Sequence, residues 1–524
     1  MPDLPLPKPP TPKASTSIPM PTAAVPPRIS SPALARPNTP LPPAPTPVAP
    51  VISKPVIPAP VPAPSAESKQ AQLASAGSPL KKFLPLILAG VGVLILLVVA
   101  ALFFFNRQPK TTSVKTSSTA SNRQTVPAEK MTLTYWGLWE TSEVWESIFK
   151  EFESQHPGVD VVYQKQSHLD YRSRLQSAVV GGNGPDLFRF HASWTPMLSK
   201  ELSPMPNSVM SASTFAQTFY PVATSQLTSA GQIMGIPLMY DGLALFYNKD
   251  ALKAASAEAP KTWAELKILA SKLTIRDSQN NITRAGLAIG NANNIDNFSD
   301  ILGLLMLQNG ADFSKPSSKE AQEALLFYTN FAKVDKVWDE KLPNASVAFA
   351  RGDVAMIFAP SWKAHEIKAM NPQLNFAVAS TPGLGDKKLA WASYWAEGVS
   401  AQSKNKTMAW ELLKYLSSKE VMQKAYSAQA QNRSFGEIYS RVDLANTLAS
   451  DLVVSPFLAD APYASSWYLN SLTHDAGLND NLIKYYKDAI NAVLGGKSVE
   501  EAMKTAELGT TQVLRQYAVT SAVK

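Results

Sequence analysis

The sequence predicts an α/β protein of two lobes, preceded by a disordered tail and one transmembrane helix. Three observations carry this. Short apolar strands alternate with amphipathic helices from Met131 onward; the 394 residues of 131–524 exceed what one core supports; and everything before them has a different composition.

Residues 1–80 hold 24 of the 42 prolines and no aromatic residue, too little apolar surface to offset the entropy of ordering, so a disordered Pro-rich tail is expected. Residues 83–105 then run without a charge, LPLILAGVGVLILLVVAALFF at the centre, the length of a helix crossing roughly 30 Å of hydrocarbon. A secretory signal peptide would begin nearer Met1 with a shorter apolar run. Residues 106–130, rich in Ser, Thr and Lys, form the expected flexible stalk. Charge follows the same division. Residues 1–130 hold 13 Lys/Arg against 3 Asp/Glu, and residues 131–524 hold 36 against 38. The basic balance therefore belongs to the segments flanking the span, where it suits anionic headgroups, and the near-neutral remainder is a poor match to nucleic acid. The absence of cysteine removes disulfides, CxxC zinc sites and thiol nucleophiles.

Strands are predicted at Met131–Tyr135, Val159–Tyr163, Leu187–Phe190, Leu243–Tyr247, Val354–Phe358 and Phe376–Ala379. Ser142 is the predicted cap of a helix carrying Val144, Trp145, Ile148, Phe149 and Phe152 on one face, ended by Pro157-Gly158. Thr262 with Glu265 reads as a capping box, and Ser498 with Glu501 repeats it. A stripe of Leu482, Tyr486, Ala489 and Val493 stops at Gly495-Gly496. Strands separated by helices imply parallel sheets with covered faces, whose ligands gather at the carboxyl ends of strands.

The order GIPLMYDGLALFYNKDAL at 235–252, then Pro260-Lys261-Thr262-Trp263, then Gly352-Asp353-Val354-Ala355-Met356 running to Trp362, resembles the extracellular solute-binding proteins of ABC importers, in their maltose-binding-protein-like group. That resemblance covers residues 131–520 and implies a periplasmic-binding-protein-like fold. One lobe would comprise about 131–239 with 379–430, the other about 240–378 with 431–524. It further implies a carbohydrate ligand in the interlobe cleft, separate permease and ATPase chains as partners, a monomer, no cofactor and no catalysis. The C-terminal part is thereby placed outside a single-pass cell membrane, the tail inside. The missing cysteine also removes the lipid anchor that many such proteins carry, leaving the membrane helix to tether.

A neutral sugar presents hydroxyls and C–H patches, so its binder supplies aromatic faces with paired polar groups. Trp136 and Glu140 follow the first strand. Asp186 matches the family's Pro-Asp element, Asp241 a polar position on a hinge strand, and Trp362 and Trp395 two stacking platforms. Arg433 stands where the family often has a Pro-x-Arg element, though the proline is absent. Asn291 ends a strand, Glu397 follows Trp395, and His191 and Trp194 lie beyond the third strand. Trp145 and Trp410, on apolar helix faces, are expected in the core. Non-sugar solutes such as a glycerophosphodiester or polyamine remain alternatives. So does a surface glycan-acting enzyme using carboxylates such as Glu140, Glu397 or Asp241, although nothing in their spacing sets two across a bond. His365-Glu366 lacks the second histidine of a zinc motif, and GGNGPD lacks the Lys-Ser/Thr of a phosphate loop.

Overall fold

A computed structural model describes residues 130–385 and 387–519. The predicted tail and membrane span, and the stalk up to residue 129, lie outside the described residues. Among the described residues no helix is long and apolar enough to cross a membrane.

Two sheets organise the chain. Their strands are β1 (Met131–Gly137), β2 (Val159–Lys165), β3 (Leu187–His191), β4 (Leu202–Ser203), β5 (Ala244–Asn248), β6 (Met356–Ala359), β7 (Phe376–Ala379) and β8 (Trp395–Ser400). The first sheet has the order β2-β1-β3-β8-β4, and the second β6-β5-β7. β1 pairs in parallel with β2 and β3, as the alternation of strand and helix requires. The expectation of parallel sheets fails elsewhere. β8 runs antiparallel to β3 and β4, because it enters the first sheet on the chain's return from the second. In the second sheet β5 is antiparallel to both neighbours. β6 and β7 do point the same way, joined by the helix Lys363–Met370, but β5 lies between them. Strand–helix alternation sets the direction of a consecutive pair without saying that the two strands are neighbours.

The helix Ser142–Gln155 buries the five apolar residues of the predicted face. Its cap is Thr141 rather than Ser142: Thr141 is the extended residue before the first turn, and its side chain makes no capping bond. At Trp263–Leu273 the Thr262–Glu265 capping box is complete. At Val499–Gln516 only half of it forms, because the Glu501 carboxylate turns to the Ser498 hydroxyl instead of the backbone. Trp145 and Trp410 are buried as expected.

Extended segments carry the chain between the sheets and pair with one another. Ile236 N–H donates to the Glu397 carbonyl (2.8 Å) and Leu243 N–H to that of Trp391 (2.9 Å). Ala390–Trp391 pairs in parallel with Ala464–Ser465. Residues 236–243 are thus a crossing segment with isolated bridges, not a regular strand.

Beside β6, Ala285 N–H donates to the Asp353 carbonyl (2.8 Å), and the helix Trp263–Leu273 lies directly against the next residue. A Cβ on Gly286 would overlap the Ala270 carbonyl. Gly286→Ala should therefore lower stability by about 1–3 kcal/mol through overpacking. A lower denaturant midpoint at unchanged slope is the expected result; an unchanged midpoint would show that the contact yields.

Candidate functional site

A cavity of about 420 Å³ opens where the carboxyl ends of β1 and β3 face the crossing segments and the end of β6. Each element delivers an aromatic ring. Trp139 follows β1; Trp395 opens β8, in register with His191 at the end of β3; Trp362 follows β6 by way of Pro360 and Ser361. Trp139 packs edge-on against Trp395 (centroids 5.7 Å apart), and Trp395 does the same against Trp194 (5.1 Å) and His191 (5.2 Å). Trp362 is held on one side by Lys363, whose Nζ lies 4.6 Å from the ring centroid and also bonds Glu366 (2.9 Å).

Polar groups converge among these rings. Asp241 accepts from Gly242 N–H (2.7 Å), Ser361 N–H (3.0 Å) and the Ser361 hydroxyl (2.8 Å). Burial nevertheless pushes its carboxyl up to about 7, outweighing these bonds. Arg433 donates to Glu437 (2.9 Å) and Gln429 (3.2 Å). Asp300 accepts from Trp391 Nε1 (3.1 Å), Asn297 (3.0 Å) and the Ser471 hydroxyl. His191, buried and unprotonated with its pKa lowered to about 3 by burial, bonds Ser393 through Nε2 (3.2 Å).

Of the residues predicted for a site, Asp241, Trp362, Trp395 and Arg433 line the cavity, and so does His191. Glu140 and Glu397 lie beneath it, paired with Arg189 of β3, and Glu397 Oε2 is left buried without a partner. The guanidinium reaches Glu140 with Nη1 (2.7 and 2.8 Å) and Glu397 with Nε (2.7 Å), and Tyr135 donates to Glu397 (3.1 Å). Burial would raise the Glu140 pKa, but the charge and hydrogen bonds of Arg189 overcome it and lower it; at Glu397 burial wins and the pKa rises. Trp136 is outside the cavity, its Nε1–H on Gln164 of β2 (2.8 Å). Asp186 precedes β3, at the sheet's other end, where it accepts from Thr134 N–H (2.9 Å) and Ser403 (2.5 Å). Asn291 is buried against the helix Lys319–Lys333, its carbonyl accepting from Tyr328 (2.7 Å). Trp194 is buried under Trp395. The cavity also gathers Trp139, Met239, Asp300, Tyr394, His168 and His474, which sequence reasoning did not single out. Trp139 alone had a signal, as an aromatic in the loop following β1.

The profile of the bacterial extracellular solute-binding proteins matches residues 147–434, more than half the chain. A maltotriose-binding protein of Pyrococcus abyssi is 24% identical over 285 residues, covering 52% of this chain and 59% of that protein. Thus the chain spans about three fifths of that relative's length. Among solved structures, an ABC transporter solute-binding protein of Thermotoga lettingae bound with α-D-tagatose superposes with a TM-score of 0.56 at 26% identity, covering 73% of this chain and all of that one. The sugar-binding protein MalE of Xanthomonas citri reaches 0.62 at 20% identity over 74% and 98%, a likeness of fold alone.

Two outcomes follow from the buried charges. Arg189→Met leaves two carboxylates in the core without their counter-charge and should cost about 3–5 kcal/mol, most of it recovered when Glu140→Gln and Glu397→Gln are added. Urea unfolding of the single and triple variants decides; equal losses would show that the network is not the cause. For Asp241 the folded pKa lies above the unfolded value of 3.8, so the unfolded state ionises first and stability falls as pH rises from about 4 to about 7. Asp241→Asn should escape this, its stability relative to the parent rising across that window by up to about 1.4 kcal/mol per pH unit and levelling above it. A pH-independent difference would contradict the raised pKa.

Proposed function

This chain belongs to the bacterial extracellular solute-binding protein family, and from that premise we propose that it binds a neutral carbohydrate, sugar or oligosaccharide, between its lobes and delivers it to an ABC importer. The observation that carries the reading is the placing of three tryptophans on one cavity, Trp139 and Trp395 beside the first sheet and Trp362 beside the second. A ring stacked between them touches both lobes at once. Such a ligand gains most of its contacts in the closed arrangement and so shifts the population toward it. Asp241, Asp300 and Arg433 supply the planar groups that engage hydroxyls in pairs.

Two further assignments complete the proposal. Residues 131–239 with 379–430 form one lobe and 240–378 with 431–524 the other. Residues 83–105 span the membrane, with the solute-binding part outside and the permease and ATPase as separate chains; a stalk of about 25 residues then gives a reach of roughly 25–30 Å above the bilayer. Tethering raises the effective concentration of binder at its importer.

Thermal unfolding of the full-length chain against sugars, oligosaccharides, amino acids, polyamines and phosphate compounds tests the ligand class. A sugar at about 100 times its dissociation constant should add roughly 2.7 kcal/mol. Trp362→Ala and Trp395→Ala should each weaken its binding by about 1–3 kcal/mol with the fold intact. Stabilisation by a non-sugar solute alone would overturn the carbohydrate assignment.

A further inference from the structure

A second cavity, of about 590 Å³, lies between the segment after β3, the short helix Pro221–Gln226 with the hairpin that follows it, the segment 464–468 and residues 517–519 after the last helix. It shares no lining residue with the first. Its wall has a distinct chemistry. Hydroxyl side chains dominate, among them Ser199, Ser229 and Ser465, and Trp467 and Tyr517 also line it. The buried Gln226 Oε1 has no hydrogen-bond partner. Among the described residues no charged side chain lines it. A wall of hydroxyls, an amide and aromatic residues without charge offers nothing to compensate an ionic ligand, whereas its hydroxyl oxygens and the unpartnered Gln226 Oε1 can accept from a neutral one bearing hydroxyls. The volume is within the range of small-molecule sites.

We propose that this cavity is a second binding site, taking a small neutral polyhydroxylated solute of monosaccharide or polyol size. Its place in the fold links it to the first. Asn479 donates to Ser193 Oγ (2.8 Å), Ser193 Oγ meets His191 Nδ1 (2.7 Å), and His191 Nε2 reaches Ser393 Oγ (3.2 Å); Ser193 lines the second cavity, His191 and Ser393 the first. Ser465, on the second wall, pairs with the returning chain at Trp391, four residues before Trp395. A solute held there contacts both the first sheet's loops and the segment 464–468, and favours the arrangement of lobes that leaves the cavity at this width.

The test uses full-length chain carrying Trp362→Ala with Trp395→Ala, so that the outcome does not depend on what the first cavity takes. D-Glucose is the neutral probe, with glucuronate and glucosamine as charged comparators, read by saturation-transfer NMR. The expected result is a saturable glucose signal in this background that falls about ten-fold when Ser225→Trp fills the second cavity from its exposed rim, with weaker signals from both charged sugars. Thermal melting verifies that the filled variant is folded, and Ser229→Tyr provides the same block from the hairpin. Loss of the glucose signal in the background variant, or a signal indifferent to both blocking substitutions, would overturn the site; equal signals from the charged sugars would overturn its ligand class.

Discussion

Arg189 carries a guanidinium into the middle of the first sheet, where both faces are covered and its exposure is 1%. A charge so placed must be met by opposite charge and filled hydrogen bonds, or the strand cannot be buried. Two carboxylates from distant parts of the sequence meet it: Glu140 from the loop after β1, and Glu397 from the strand that returns from the other lobe. Geometry follows from that demand. Trp139 is the residue before Glu140, and Trp395 is two residues before Glu397 on the same face of β8. Satisfying Arg189 therefore fixes both aromatic rings that the first lobe presents to the cavity. The network extends further, since Gln429 donates to Glu140 (3.3 Å) while its carbonyl oxygen accepts from Arg433 (3.2 Å) and Glu437 N–H (2.7 Å), two residues that line the cavity. A buried ion cluster is a poor source of net stability. Here its consequence is that three segments far apart in sequence have one arrangement.

The second lobe uses a different device. β6 ends at Pro360 and Ser361, and both Ser361 groups bond Asp241 of the crossing segment, so Trp362 is placed relative to the hinge rather than to its own sheet. Lys363 covers one side of that ring. The two lobes thus meet across a cavity whose walls are tied to the segments connecting them, a construction suited to coupling occupancy with lobe movement.

Much of this was legible from residue types. Strands with unbroken apolar runs and helices with one apolar face were found within a few residues, because burial of two faces or of one stripe leaves a local pattern. The pairing of strands was not, since β5 enters between β6 and β7 and β8 enters the first sheet from afar, and no local pattern records a neighbour more than a hundred residues away. The candidate site divides on similar lines. Trp362 follows a strand end, Trp395 opens a strand and Asp241 lies on the crossing segment, and the structure brings them together. Asp186 also borders a strand, but at its amino end, where it bonds Thr134 and Ser403 instead. For Glu140 and Glu397 the missing fact was Arg189. Its own signal, an arginine in the otherwise apolar run Leu187-Phe188-Arg189-Phe190, was present: a charge in a doubly covered strand requires partners, and an acid in the loop after β1 and one opposite it on β8 supply them.

The proposed function requires that one solute be held between tryptophans of both lobes. A crystal structure of the chain with the solute that raises its melting temperature most tests it directly. The expected result is a sugar ring with its atoms about 4 Å from the faces of Trp362 and Trp395 and hydroxyls bonded to Asp241 or Arg433. A solute bound with both rings unengaged would contradict it.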